Sequence, residues 1–165
     1  MKILIAAGAT KEYIDAIRFI SNDSSGKMGI ALLKEAIKRK HTVKFIYGSG
    51  SALTKRTIKK ISDTDGVEKV INAITAKQKF PDVFVVAFKA EYDVSDDALK
   101  NSAIEKLRAE NLDMVVANDV AKSKFGSDKA EVFLISKDEI RHVKGSKIAI
   151  AGEIFNFMEK EIAHI

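Results

Sequence analysis

Short apolar runs alternate along the chain with stretches in which apolar residues recur every three or four positions. Lys2 to Ala7 (KILIAA) is too short for a buried helix and predicts a first strand. Ile30 to Lys40 places Ala31, Leu32, Ala36 and Ile37 on one side and lysines on the other, a helix packed on one face. His41 to Tyr47 alternates through Val43, Phe45 and Tyr47 and predicts a strand, which Gly48-Ser-Gly50 ends. Val67 to Lys77 predicts a helix with Val70, Ile71 and Ile74 inward, and Asp82 to Ala87 (DVFVVA) the next buried strand. Ser95 is a natural N-cap for a helix to about Asn111, its first turn acidic as the dipole favours. Leu112 to Ala117 predicts another strand, and Glu131 to Ser136 a further one, hairpin-paired with Glu139 to Val143. A last helix from Ser146 or Lys147 carries Ile150, Ile154, Phe155, Met158 and Ile162 on one stripe.

Strands alternating with helices predict an α/β fold: a Rossmann-like, mostly parallel sheet with helices on both faces. No repeat, low-complexity tract or boundary interrupts the chain, so residues 1–165 read as a single domain. Ligands of such folds sit at the carboxyl ends of the strands. That rule selects four loops: Gly8 to Gly29, Gly48 to Lys60, Phe88 to Asp97 and Asn118 to Lys129.

Composition narrows the chemistry. Cysteine is absent, which excludes disulfides, a thiol nucleophile and thiolate metal sites and fits a reducing cytoplasm. The N-terminal apolar run is too short for a signal peptide or a membrane span, so no membrane partner is expected. His41, His142 and His164 are scattered without ligand spacing, and no metal site is expected. The net charge of +5 is spread among acids and accompanied by few aromatics. A small anionic substrate accounts for it at least as well as nucleic acid, which would need a stacking platform or a basic stripe.

The first loop holds more hydrogen-bonding groups than a surface turn needs: Ser21-Asn22-Asp23-Ser24-Ser25-Gly26-Lys27-Met28-Gly29 runs directly into a helix. Free N–H groups at a helix start, with glycines permitting close approach, bind phosphate. Ser24 and Ser25 add hydroxyls and Lys27 a charge. A polar turn with Ser24 or Ser25 as N-cap explains the spacing equally well. The stretch is neither a Walker loop nor Gly-x-Gly-x-x-Gly. Asn118 and Asp119 follow a buried strand, where ligand contact and an Asx turn are both open. Phe88 suits base stacking or the core, and Lys106, alone on a helix, is ordinarily solvated.

Together these pieces resemble phosphopantothenate–cysteine ligase (phosphopantothenoylcysteine synthetase), the ligase half of the bifunctional coenzyme A biosynthesis flavoprotein. "TKEYIDAIRFISNDSSGKMG", from Thr10 to Gly29, is similar to the family signature; "VVAFKAE" is similar to its Gly-Phe-Ala-Ala-Glu strand end, and "NLDMVVANDV…FGSD" to its second signature. The resemblance implies that CTP or ATP, with Mg²⁺, activates the carboxylate of 4′-phosphopantothenate, and that the amine of cysteine attacks the acyl-nucleotide. It implies that Asn22 acts on the acyl intermediate, where an amide donor can stabilise charge on the carbonyl. Gly8, Thr10, Ser24, Ser25, Gly26, Lys27 and Gly29 would line the phosphate-holding loop. Phe88 would lie against the nucleotide, Lys106 would reach its phosphates, and Asn118 and Asp119 would help form the substrate pocket. No flavin is expected on this chain. A homodimer and a separate phosphopantothenoylcysteine decarboxylase are the macromolecular partners left open.

The chain also departs from that pattern. The family places a strand, a Lys-Ile-Lys-Lys flap and a helix before the Gly-Phe-Ala-Ala-Glu strand, and here they are missing. With them go an acidic residue that reads the base, a phosphate-binding lysine and part of the dimer contact. A second nucleotide lysine is replaced by Glu110. Each charge-assisted bond so lost costs about 1.5–3 kcal/mol. Two readings therefore stand: a compact working ligase, or a degenerate relative that binds nucleotide or phosphopantothenate without ligation.

Overall fold

The computed structural model describes residues 1–9, 11–21, 24–47, 81–122 and 127–163. The chain divides into two compact units, Met1–Val70 and Ile71–Ile165. The helix expected over 67–77 and the loop over 48–60 lie outside the described residues. Among the described residues no helix is long and apolar enough to cross a membrane.

In the first unit, strand β1 (Lys2–Ala7) pairs in parallel with β4 (Thr42–Tyr47), Ile5 opposite Phe45. The link between them contains an antiparallel hairpin of β2 (Lys11–Tyr13) and β3 (Phe19–Ser21), then helix α1 (Lys27–Lys38). Sequence periodicity misses the hairpin because three-residue strands are too short to show a period. Helix α1 buries Ala31, Leu32, Leu33 and Ala36, and Ile5 and Phe45 are buried on the strands. It stops two residues earlier than expected. Lys40 turns left-handed at φ 60°, and the N–H groups of Lys40 and His41 close back on the carbonyls of Ile37 and Ala36.

In the second unit a four-stranded sheet has the order β5–β6–β7–β8: β5 (Val86–Glu91), β6 (Met114–Asp119), β7 (Lys129–Ile135) and β8 (Ile140–Ser146). The β5–β6 pair is parallel and joined by α2 (Asp96–Ala109). The other two pairs are antiparallel, including the expected β7–β8 hairpin. The unit ends with α3 (Lys147–Ile162). Ser95 and Ser146 cap their helices, each hydroxyl accepting an N–H three residues on.

Helices cover both faces of this sheet. Leu99, Ala103 and Leu107 of α2 pack on Val115, Ala117, Phe133 and Ile135. Because side chains alternate along a strand, Val116 and Leu134 face the other way. Arg141, opposite Leu134, lies 5.0 Å from the Phe157 ring centroid of α3, which puts α3 on that side. Phe157 is fully buried and Met158 only half-buried, so the expected stripe on α3 turns toward Phe157.

Two strand expectations shift. The DVFVVA strand begins only at Val86 and runs on through Phe88-Lys89-Ala90-Glu91; the LDMVVA strand runs on through Asn118-Asp119. The parallel ladder is anchored at its amino end. Asp113 accepts the Val85 N–H at 2.7 Å, and the Val85 carbonyl accepts the N–H groups of Asp113 and Met114 at 3.2 Å. Six register pairs follow, ending at Glu91 opposite Asp119. Residues expected in ligand loops are therefore strand residues of fixed direction.

Candidate functional site

At the end of β1 the chain turns at Gly8, where φ is 87°. The hairpin that follows is held by its own turn. The Asp15 carboxylate accepts the N–H groups of Ile17 and Arg18 at 2.8 and 2.7 Å, and the Arg18 Nε–H at 2.7 Å. The Ile17 N–H, then the Arg18 N–H and side chain, hold that carboxyl below the ordinary aspartate value. Asp15 and Arg18 thus serve the turn itself.

Helix α1 then starts in an unusual way. Its N-cap is Gly26, at φ 69° and ψ 0°, and no side chain caps the first turn. The serine N-cap left open by the sequence is not formed, because the turn needs a left-handed residue and glycine enters it without strain. One position needs glycine for a different reason. A Cβ on Gly29 would lie 2.1 Å from the Ala7 Cβ, so the first turn of α1 is pressed against the end of β1. Ser24, Ser25 and Lys27 stand half-buried around this start. The N–H groups of the first turn emerge at the carboxyl end of β1, beside hydroxyls, where the helix dipole favours an anion.

The second unit carries a different construction at the carboxyl ends of β5 and β6. Phe88 opposite Val116, and Ala90 opposite Asn118, share the face turned away from α2. Phe88 is 46% exposed and Asn118 half-buried, giving an aromatic ledge beside an amide. Lys89, Glu91 and Asp119 take the α2 face. Glu91 pairs with Lys89 at 2.9 Å and accepts the Ser102 hydroxyl at 3.1 Å, and both lower its pKa, Lys89 first.

Asp119 is 4% exposed. Its Oδ1 accepts the N–H groups of Asp93 and Ala121, each at 2.9 Å, and its Oδ2 the N–H of Val94 at 3.3 Å. Desolvation pushes the carboxyl up, but the three backbone donors, joined by the Lys122 charge, bring it below the ordinary aspartate value. Two further links tie the same segments. The Val120 N–H donates to the Glu91 carbonyl at 2.9 Å, and Lys122 pairs with Asp96 in the first turn of α2.

The candidate residues are therefore gathered in two places. Gly8, Ser24, Ser25, Gly26, Lys27 and Gly29 surround the α1 start; Phe88 and Asn118 share a strand face, with Asp119 behind them on the other. Lys106 sits on α2, which covers that other face, and it is ion-paired with Glu110 one turn on. Thr10 and Asn22 lie outside the described residues. Sequence reasoning missed Glu91 and the links from Asp119; the Glu at the end of "FKAE" was the available signal. Among the described residues no group of three or more histidines or acids could hold a metal ion.

A family model described as DNA/pantothenate metabolism flavoprotein C-terminal domain matches residues 1–87 and 64–162. The coenzyme A biosynthesis bifunctional protein CoaBC of Methanocaldococcus jannaschii is 30% identical over 203 residues, covering 96% of this chain and 50% of the relative. The chain thus spans about half the length of the curated relatives it matches. The alignment is longer than the chain's 165 residues, so that relative has segments with no counterpart here. Among solved structures, the C-terminal domain of CoaBC superposes with a TM-score of 0.75 at 24% identity, covering 99% of this chain and 96% of that one. A Cab2 mutant in complex with phosphopantothenate-cysteine gives 0.70 at 14% identity, covering 99% and 88%. At these identities the two structures speak for the α/β fold.

Proposed function

Because the chain belongs to the DNA/pantothenate metabolism flavoprotein C-terminal domain family, we propose that it ligates cysteine to 4′-phosphopantothenate in coenzyme A biosynthesis, with residues 1–165 acting as one ligase-like domain. The observation that carries this is the start of α1. A left-handed Gly26 and a Gly29 pressed on Ala7 start the helix directly after the signature serines, with no side chain capping its first turn. This is a local geometry suited to a phosphorylated acid.

In this reading a carboxylate oxygen of phosphopantothenate attacks the α-phosphorus of CTP or ATP, and pyrophosphate leaves. The cysteine amine then attacks the acyl carbon, an amide forms, and the nucleoside monophosphate departs. Asn22 donates to the carbonyl oxygen as charge develops there. Ser24, Ser25, Lys27 and the first-turn N–H groups hold phosphate, and Gly8 and Thr10 complete that loop. Phe88 lies against the nucleotide and Asn118 faces the substrate. Mg²⁺ would arrive with the nucleotide, held by phosphates and water. A homodimer and a flavin-dependent decarboxylase on another chain are the partners that belong to this reading.

A second reading, binding without ligation, is favoured by one contact: Lys106 is already paired with Glu110. The test is pyrophosphate release with 4′-phosphopantothenate, Mg²⁺ and either CTP or ATP, with and without cysteine. Cysteine-dependent turnover that Asn22→Ala reduces at least about a hundredfold is expected. No turnover, with calorimetric binding of nucleotide or phosphopantothenate intact, would establish the second reading instead.

A further inference from the structure

We propose that Asp119 is a positioning residue: its buried carboxylate contacts no substrate but staples the segment after β6 to the segment linking β5 to α2, and so sets the ledge that carries Phe88 and Asn118. The inference rests on the ligase reading for its functional consequence.

The sequence places Asn118 and Asp119 side by side as candidate pocket residues. The structure separates them. As neighbours on one strand they point to opposite faces. Asn118 shares its face with Phe88 and Ala90, whereas Asp119 shares its face with Ala117, which packs under α2. A carboxylate offers about four acceptor sites, and one aimed at a ligand would keep most of them free of internal donors, whereas Asp119, 4% exposed, turns three inward. Both oxygens of Asp119 are occupied: Oδ1 by Asp93 and Ala121, Oδ2 by Val94.

These donors are backbone groups of two separate segments that would otherwise leave N–H groups unsatisfied at the edge of the core. Asp93 in particular sits at φ 55°, a conformation an L-residue keeps only when its surroundings fix it. One carboxylate therefore fixes both exits from the parallel pair. The Val120–Glu91 bond and the Lys122–Asp96 pair reinforce the same junction from either side.

The geometry yields a discriminating pair of variants. In Asp119→Asn the amide oxygen can still accept from Asp93 and Ala121, and only the Val94 bond and the charge are lost. In Asp119→Ala every link is lost. A positioning role predicts that Asp119→Ala raises KM for nucleotide or phosphopantothenate about tenfold to a hundredfold, with kcat changed far less. It also predicts that Asp119→Asn stays within about threefold of the parent chain. The Asp93, Val94 and Ala121 amide signals should shift widely in the alanine variant, while the asparagine variant keeps those of Asp93 and Ala121. A carboxylate that binds Mg²⁺ or the cysteine ammonium predicts instead that Asn is as damaging as Ala, since both remove the charge. That outcome, or a kcat loss with those amides unmoved, overturns the inference alone. A parent chain that neither turns over nor binds either substrate overturns the ligase reading and the functional role with it.

Discussion

At the start of α1 the backbone is shaped by glycines, whereas at the ends of β5 and β6 it is held by carboxylates. Gly26 supplies a left-handed turn and Gly29 a close approach, and no side chain caps the helix. In the second unit Asp119 collects three backbone N–H groups, Glu91 binds a lysine and a serine, and Ser95 and Ser146 cap the helices. The difference teaches how one chain makes two kinds of surface. At the α1 start no side chain caps the first turn, and the shape comes from the backbone alone. At the ends of β5 and β6 the Asp93, Val94, Val120 and Ala121 N–H groups are satisfied internally, and Phe88 and Asn118 lie on the outer face.

The sharpest way to break the glycine side of this comparison is Gly29→Ala. The added methyl would meet the Ala7 Cβ at 2.1 Å, so α1 or β1 must move. The expected loss is about 1–3 kcal/mol in urea denaturation. Adding Ala7→Gly in the same chain should recover most of it, as contacting sites couple. A neutral Gly29→Ala would mean the helix start is not pressed on the strand.

Acid separates the two regions by a smaller effect. The Asp119 carboxyl is held below the ordinary aspartate value of about 3.9. A depressed folded value contributes stability that is present above the unfolded value and lost as pH falls through the folded one. Hydrogen exchange should therefore find the Asp93, Val94 and Ala121 amides protected down to pH 3.9, and exposed only below it. The first-turn contact of α1 on β1 is made by Gly29 and Ala7, which do not titrate, so acid reaches that helix only farther along, at Glu35, whose carboxyl is held low chiefly by Arg39. Exposure of the three amides already near pH 5 would contradict the carboxylate account.

The smallest expected effect concerns helix ends. Lys40 follows α1 at φ 60°, and Asn111 follows α2 at φ 48°. Asparagine tolerates that region better than lysine does. Lys40→Gly should thus raise stability by about 0.5 kcal/mol, read as a small rise in Tm. A fall would show that the Lys40 side chain holds contacts worth more than the strain relieved.

Period and spacing made the described elements legible: the β1–α1–β4 unit, the capped helices α2 and α3, and the β7–β8 hairpin. Each is long enough for its apolar rhythm or its cap to register. The β2–β3 hairpin is not, and its apolar residues stand exposed, Ile17 at 87%, so no burial pattern marked it. The ends of β5 and β6 were misread because "FKAE" and "ND" look like loop composition. Their pairing is decided by the register set at Val85 and Asp113. In the candidate site the serines and glycines before α1 were legible only as a phosphate-loop candidate, and not which residue would be the N-cap, which is Gly26.

The sequence by itself determined the α/β class, the order of the described helices and long strands, and the group of residues worth testing, because these depend on local rhythm and residue chemistry. Only the tertiary structure decided which face of the sheet each residue takes. It set Asn118 beside Phe88 and turned Asp119 inward to three backbone donors. It paired Lys106 on α2 with Glu110, and set Gly29 against Ala7. Those facts depend on register and on the approach of segments far apart in the chain. A one-residue change in register would reverse every one of the strand assignments while leaving the sequence pattern unaltered.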